Sequence, residues 1–170
     1  MLRFKQYLSE IFSTAKKHSV QGSHPDLRRD NEEMVEYHFT PTDKEGKPMH
    51  SRAIKTTFLS AGPKDRWEVM FKVGGVHSND PSHEFPSDVT KRVFDHISHF
   101  VQTKREVIGN SPTLIYDTQH PKKHRIYQTG AKRLGIRAEN MAPLDPELDR
   151  GGNKKKQQMY YDEPEIGGER

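Results

Sequence analysis

Apolar and polar residues alternate through the middle of the chain. Val35, Tyr37 and Phe39 fall on one side and Glu36, His38 and Thr40 on the other, which predicts a half-buried strand. Residues 41–48 carry the Pro, Asp and Gly chemistry of a turn. A second strand is predicted over residues 52–60, with Ile54, Thr56 and Phe58 facing one way. After a turn at residues 61–65 a third follows, with Trp67, Val69, Phe71 and Val73 inward and Arg66, Glu68 and Lys72 outward. Three strands joined by short turns form an antiparallel meander.

The period then changes from two to three and four. Val89, Val93, Phe94, Ile97, Phe100 and Val101 make one stripe of a helix that runs to about Glu106, with Ser87 or Asp88 as its cap. The Asn110-Ser111-Pro112 sequence breaks the chain, and residues 113–117 predict a short buried strand. Pro121 suits the first turn of a last helix that ends at Gly135, with a thin apolar face of Ile126, Tyr127, Ala131 and Leu134. The order β-β-β-α-β-α defines an α+β fold, and a right-handed crossover makes the last strand parallel to its neighbour.

Both ends differ from this middle. Leu2, Phe4, Tyr7, Leu8, Ile11, Phe12 and Ala15 form the apolar face of an N-terminal amphipathic helix, and residues 18–33 are polar and charged like a linker. From residue 143 the chain becomes too polar to offset its ordering entropy, so a disordered tail is expected. The expected organisation is therefore a separable peptide at 1–10, a helix end and linker at 11–33, an α+β domain at 34–142, and a polar tail at 143–170.

Composition narrows the functions. Of 170 residues only 31% are hydrophobic, which supports one small core. Charged residues are also 31%, with a net charge of +4, so attraction to nucleic acid is allowed but not required. The absence of cysteine excludes disulfides, thiol catalysis and thiolate-bound zinc. No apolar run approaches a membrane span, and no secretory signal is expected.

The first ten residues, MLRFKQYLSE, resemble the capsid-targeting sequence of internal head proteins of T4-like tailed phages. Phe4 and Tyr7 match the aromatic positions of that segment, and Leu8, Ser9 and Glu10 match its aliphatic-X-Glu triplet. The resemblance implies docking on phage scaffold or capsid proteins and a cut by the prohead protease between Glu10 and Ile11. It further implies residence in the virion head after synthesis in the host cytoplasm, with packaged DNA or a host protein as a binding target and no membrane association. Among thirteen glutamates, only Glu10 has Leu, Ile or Ala two residues before it. A retained structural component of the virion is the alternative in which this helix is kept.

Residues 67–136, ending in RIYQTGAKRLGI, resemble uncharacterised proteins of large tailed phages and the second half of the GNAT acyltransferase fold, so the body is expected to be a degenerate GNAT-like core. Were the chain a divergent acyltransferase, the resemblance would imply acetyl-CoA beside Val73 and Tyr127 as general acid. The sequence departs from the pyrophosphate-binding pattern of that family. Gly74 and Gly75 follow the strand directly, and Asp88 would repel phosphate in the first helical turn. A core position for Tyr127 is the expectation, and with it no catalytic activity and no cofactor.

Other side chains offer weaker chemistry. His96/His99 and His120/His124 have spacings that place two imidazoles on one helix face, but no acid completes a metal motif. His77, Asp80, His83 and Glu84 share a loop without a recognisable nucleophile or base. Lys122, Lys123, Arg125, Lys132 and Arg133 on the last helix, with Lys154, Lys155 and Lys156 in the tail, are candidate phosphate contacts that carry no base-reading geometry.

Overall fold

A computed structural model describes residues 24–62, 65–80 and 85–149. The decapeptide, including Phe4, Tyr7, Leu8, Ser9, Glu10 and Ile11, lies outside these residues, as do Lys154, Lys155 and Lys156.

Seven strands form one mixed sheet: β1 (Leu27–Asp30), β2 (Met34–Phe39), β3 (Ile54–Ser60), β4 (Arg66–Val73), β5 (Val76–His77), β6 (Thr113–Tyr116) and β7 (Arg137–Asn140). Their order is β1-β2-β3-β4-β6-β7, with β5 folded back on β4. The first four strands are antiparallel, and β4, β6 and β7 are parallel. Two helices supply the crossovers, α1 (Ser87–Ile108) and α2 (Pro121–Leu134). The fold is thus α+β with a mostly antiparallel sheet, as the hydrophobic pattern requires.

The inward face of the meander is the one the alternation predicts. Val35, Tyr37, Ile54, Thr56, Phe58, Trp67, Val69, Phe71 and Val73 are all buried. Helix α1 lies across them: the Phe58 and Phe100 rings stack with centroids 3.9 Å apart, and Trp67 meets Phe100 edge-on at 5.2 Å. Helix α2 packs on the same side, with Tyr127 stacked on Tyr116 at 4.3 Å and beside Phe94 at 6.2 Å. Gly130 lets the two helices close, because a Cβ there would lie 2.3 Å from the Phe94 ring. The opposite sheet face carries Met34, Glu36, His38, Lys55, Thr57, Leu59, Glu68, Met70 and Lys72, all half-buried, and no described helix covers it.

Four differences from the sequence reading stand out. The linker assigned to 18–33 contains β1, and the buried His24 and Asp26 before it, so the folded body extends to His24. Strand β7 and the two-residue β5 are additional, since RAEN and VH are too short or too polar to show a period. Neither Ser87 nor Asp88 caps α1. Pro86 occupies the cap position, Thr90 Oγ1 donates to its carbonyl, and Asp88 instead pairs with Arg52. The tail assigned from 143 begins in ordered form: the Asp145 amide donates to the Gln119 carbonyl at 2.7 Å and a 3-10 turn spans Pro146–Asp149. The last helix begins as expected, with Pro121 at its first position; His120 lies outside it as cap, accepting from the Lys122 amide, so it does not share a helix face with His124.

Candidate functional site

Beneath β1–β3, where α1 crosses the sheet, the described core contains a cluster of polar side chains. His24 and Asp26 come from the segment before β1, Tyr37 from β2, Thr56 from β3, and Arg92, Asp95, His96 and His99 from α1. His24, Asp26, Tyr37, Thr56, His96 and His99 are all buried, and Thr56 and His96 are 0% exposed. His96 and His99 fall on the buried side of α1 because they continue the three- and four-residue spacing of Val89, Val93, Ile97 and Phe100.

The hydrogen bonds assign the protons. The Asp26 amide donates to His24 Nδ1 at 3.0 Å, so His24 carries its proton on Nε2 and donates to Asp95 Oδ2 at 2.7 Å. His96 Nε2 donates to Asp26 Oδ2 at 2.7 Å, and its Nδ1 accepts from the Thr56 hydroxyl at 2.8 Å. Arg92 Nε stands 3.3 Å from the same Asp26 oxygen, with its guanidinium 3.5 Å above the Phe39 ring. Tyr37 OH and His99 Nδ1 share a bond of 2.7 Å, and the Tyr37 ring stacks on His96 at 4.8 Å.

The electrostatics follow from burial and charge. Desolvation holds the His96 pKa below its ordinary value, against the pull of the Asp26 hydrogen bond and charge. Burial opposes the Asp26 carboxylate, but the His96 hydrogen bond and the charges of Arg92, His96 and His24 outweigh it, so the Asp26 pKa is lowered. Burial raises the Tyr37 pKa strongly, helped by Asp30 and Asp95, so the phenol stays neutral.

Thr56, His96 and Asp26 have the connectivity of a nucleophile, a base and an orienting carboxylate. The hydroxyl and imidazole are sealed from solvent, so no substrate reaches them in this state. His24, Asp26 and His96 also place one potential donor atom each within 4.8 Å of one another. Their ring nitrogens are committed to protein hydrogen bonds, and proximity alone does not mark a metal site. The arrangement is a saturated proton network that fixes the segment before β1 to α1.

A second polar region lies where β6 enters α2. His124 Nδ1 and Gln128 Nε2 each lie 2.7 Å from Tyr116 OH, and Gln128 also donates to the Ala138 carbonyl. Tyr127, the candidate acid, is buried, its pKa raised by burial against a hydrogen bond with Ser78. Val73 is fully buried, and the turn through Gly74 and Gly75 folds β5 and Ser78 back on β4. Lys123 does not join a basic surface as the sequence reading has it. Its side chain is buried, donating to the carbonyls of Ser78 at 3.2 Å and Asp80 at 2.8 Å, because this return loop packs on α2. Arg125, Lys132 and Arg133 are exposed and Lys122 is half-buried. His83 and Glu84 lie outside the described residues.

Sequence reasoning missed His24, Asp26, Tyr37 and Thr56 as partners of the α1 histidines. The available signal was that His96 continues the apolar stripe and His99 adjoins it, which leaves two buried imidazoles in need of partners.

No protein family matches the chain, and no curated protein or solved structure matches it. Among the described residues no helix is long and apolar enough to cross a membrane.

Proposed function

We propose that this chain is an internal head protein of a tailed bacteriophage, carried into the capsid by its first ten residues and released from them by cleavage after Glu10. Its body acts by binding protein or nucleic acid, without catalysis. The observation that carries this reading is the Leu8-Ser9-Glu10 triplet. A cut there removes none of the residues that build the described sheet, helices or polar cluster, because thirteen residues separate the cut from His24.

Two experiments test the reading. Mass spectrometry of purified virions is expected to find a peptide beginning at Ile11, whereas an intact Met1 in the assembled particle favours a retained structural component. Prohead protease is expected to cut the full chain once, and Glu10→Gln to abolish the cut; cleavage of that variant at an unchanged rate overturns the proposal. The divergent acyltransferase reading draws support from one feature, the run of strand, helix, parallel strand and Tyr-bearing helix. Acetyl-CoA titrated into the protein and followed by calorimetry decides it, with no heat of binding expected.

A further inference from the structure

Strand β1 is a weak edge. It has four residues, its register slips between Leu27 and Arg29, and only Leu27 is even half-buried. Beyond its ladder with β2, the preceding turn is held by the polar cluster. His24 bonds to Asp95, Asp26 bonds to His96 and pairs with Arg92, and the Asp26 carbonyl accepts from the His38 amide. Lys104 of α1 stands 3.7 Å from Asp30 at the far end.

His24 differs from its neighbours in one respect. Its Nδ1 accepts from a backbone amide, so a second proton on that ring puts two N–H groups face to face across 3.0 Å. His96 can take a second proton without that conflict, since its Nδ1 faces a hydroxyl that can reverse its role. The charged groups facing the His24 ring are the carboxylates Asp95 of α1 and Asp26 of its own segment, with Arg92 of α1 beside Asp26. Tyr37 of β2 and His96 and His99 of α1 surround the ring at centroid distances of 5.2–5.4 Å, while β3 contributes the non-titrating Thr56 to the cluster.

We infer that residues 24–30 form an acid-released strap, with His24 as the pin: a second proton on its ring expels the Asp26 amide and frees the strap from α1 while the rest of the sheet stays folded. Opening bares the outer rim of β2 and the polar side of α1. This device is independent of packaging and of the N-terminal cut.

Hydrogen exchange of the full chain tests it, read as protection factors so that the intrinsic pH dependence of exchange is removed. Between pH 7 and 5, protection over residues 26–39 is expected to fall at least tenfold while residues 87–108 keep theirs. His24→Asn retains an acceptor for the Asp26 amide but has no titrating ring, so protection over residues 26–39 becomes independent of pH, whatever its level. Equal loss in both regions of the wild type, or unchanged pH dependence in His24→Asn, overturns the inference. Imidazole nitrogen shifts in the wild type give a second reading that needs no variant. His24 Nδ1 is expected unprotonated at pH 7 and protonated in step with loss of the Asp26 amide. Protonation at Nδ1 that leaves this amide undisturbed refutes the strap.

Discussion

The two polar regions of this core solve the same problem with different chemistry. Under β1–β3 the buried groups are imidazoles and carboxylates, each holding the other's proton. Under β6 and α2 they are phenols, a hydroxyl and one ammonium resting on backbone carbonyls, with the exposed Gln128 amide at the edge. The first region depends on which groups carry protons. The second is built largely from groups that stay in one state near neutral pH, apart from two imidazoles, the cap His120 and His124, the latter with its pKa lowered by burial and by Arg125. Acid should therefore act on the first region before the second, although α1 packs against both.

Phe100 joins α1 to the middle of the sheet between the two regions, because it stacks on Phe58 of β3 and meets Trp67 of β4. Phe100→Ala is expected to cost about 3–5 kcal/mol in denaturant unfolding and to lower both regions together in a single transition. Separate transitions would divide the domain into two cooperative units.

Asp26→Ala removes the acceptor of His96 and the partner of Arg92 at once. A loss of about 3 kcal/mol is expected at pH 7, read by urea unfolding, with exchange rising over β1 and β2 before α2. Gly130→Ala presses on the Phe94 ring and is expected to cost about 1–3 kcal/mol, with the increase in exchange centred on α2. Opposite locations for these two effects would reverse the comparison.

The pH dependence has a definite sign. The folded His96 pKa lies below the ordinary 6.5, so the unfolded chain binds the proton first and stability declines as pH falls below that value. The folded Asp26 pKa lies below 3.8, which adds a second decline below that pH. Calorimetric melting temperatures measured from pH 8 to 3 should show both, and His96→Gln should make the first shallower, leaving the share of His124. The smallest effect expected is from Tyr37→Phe, which loses one hydrogen bond to His99 at about 1 kcal/mol, measured by urea unfolding.

The register of β2, β3 and β4 was legible because their side chains alternate over six to eight residues and one face is buried. Helix α2 was legible from Pro121 and Gly135, which mark where it can begin and where a left-handed residue ends it. Strands β1 and β7 were not, because edge positions place Arg28, Arg29 and Arg137 in solvent and leave no period to read. The polar cluster was half legible. His96 sits in an apolar stripe and His99 adjoins it, but their partners lie 40 to 70 residues away for His96 and 62 for His99, and a polar contact at such separation leaves no local pattern. The same distance hid Lys123, whose neighbours are carbonyls of a loop more than forty residues earlier.

Among the described residues the sheet ends on both sides in a four-residue strand bearing charge, LRRD at one rim and RAEN at the other. A second molecule that tries to extend the ladder at either rim must first strip water from guanidinium and carboxylate groups. Charge at both rims thus works against ladder extension from one copy of the chain to the next.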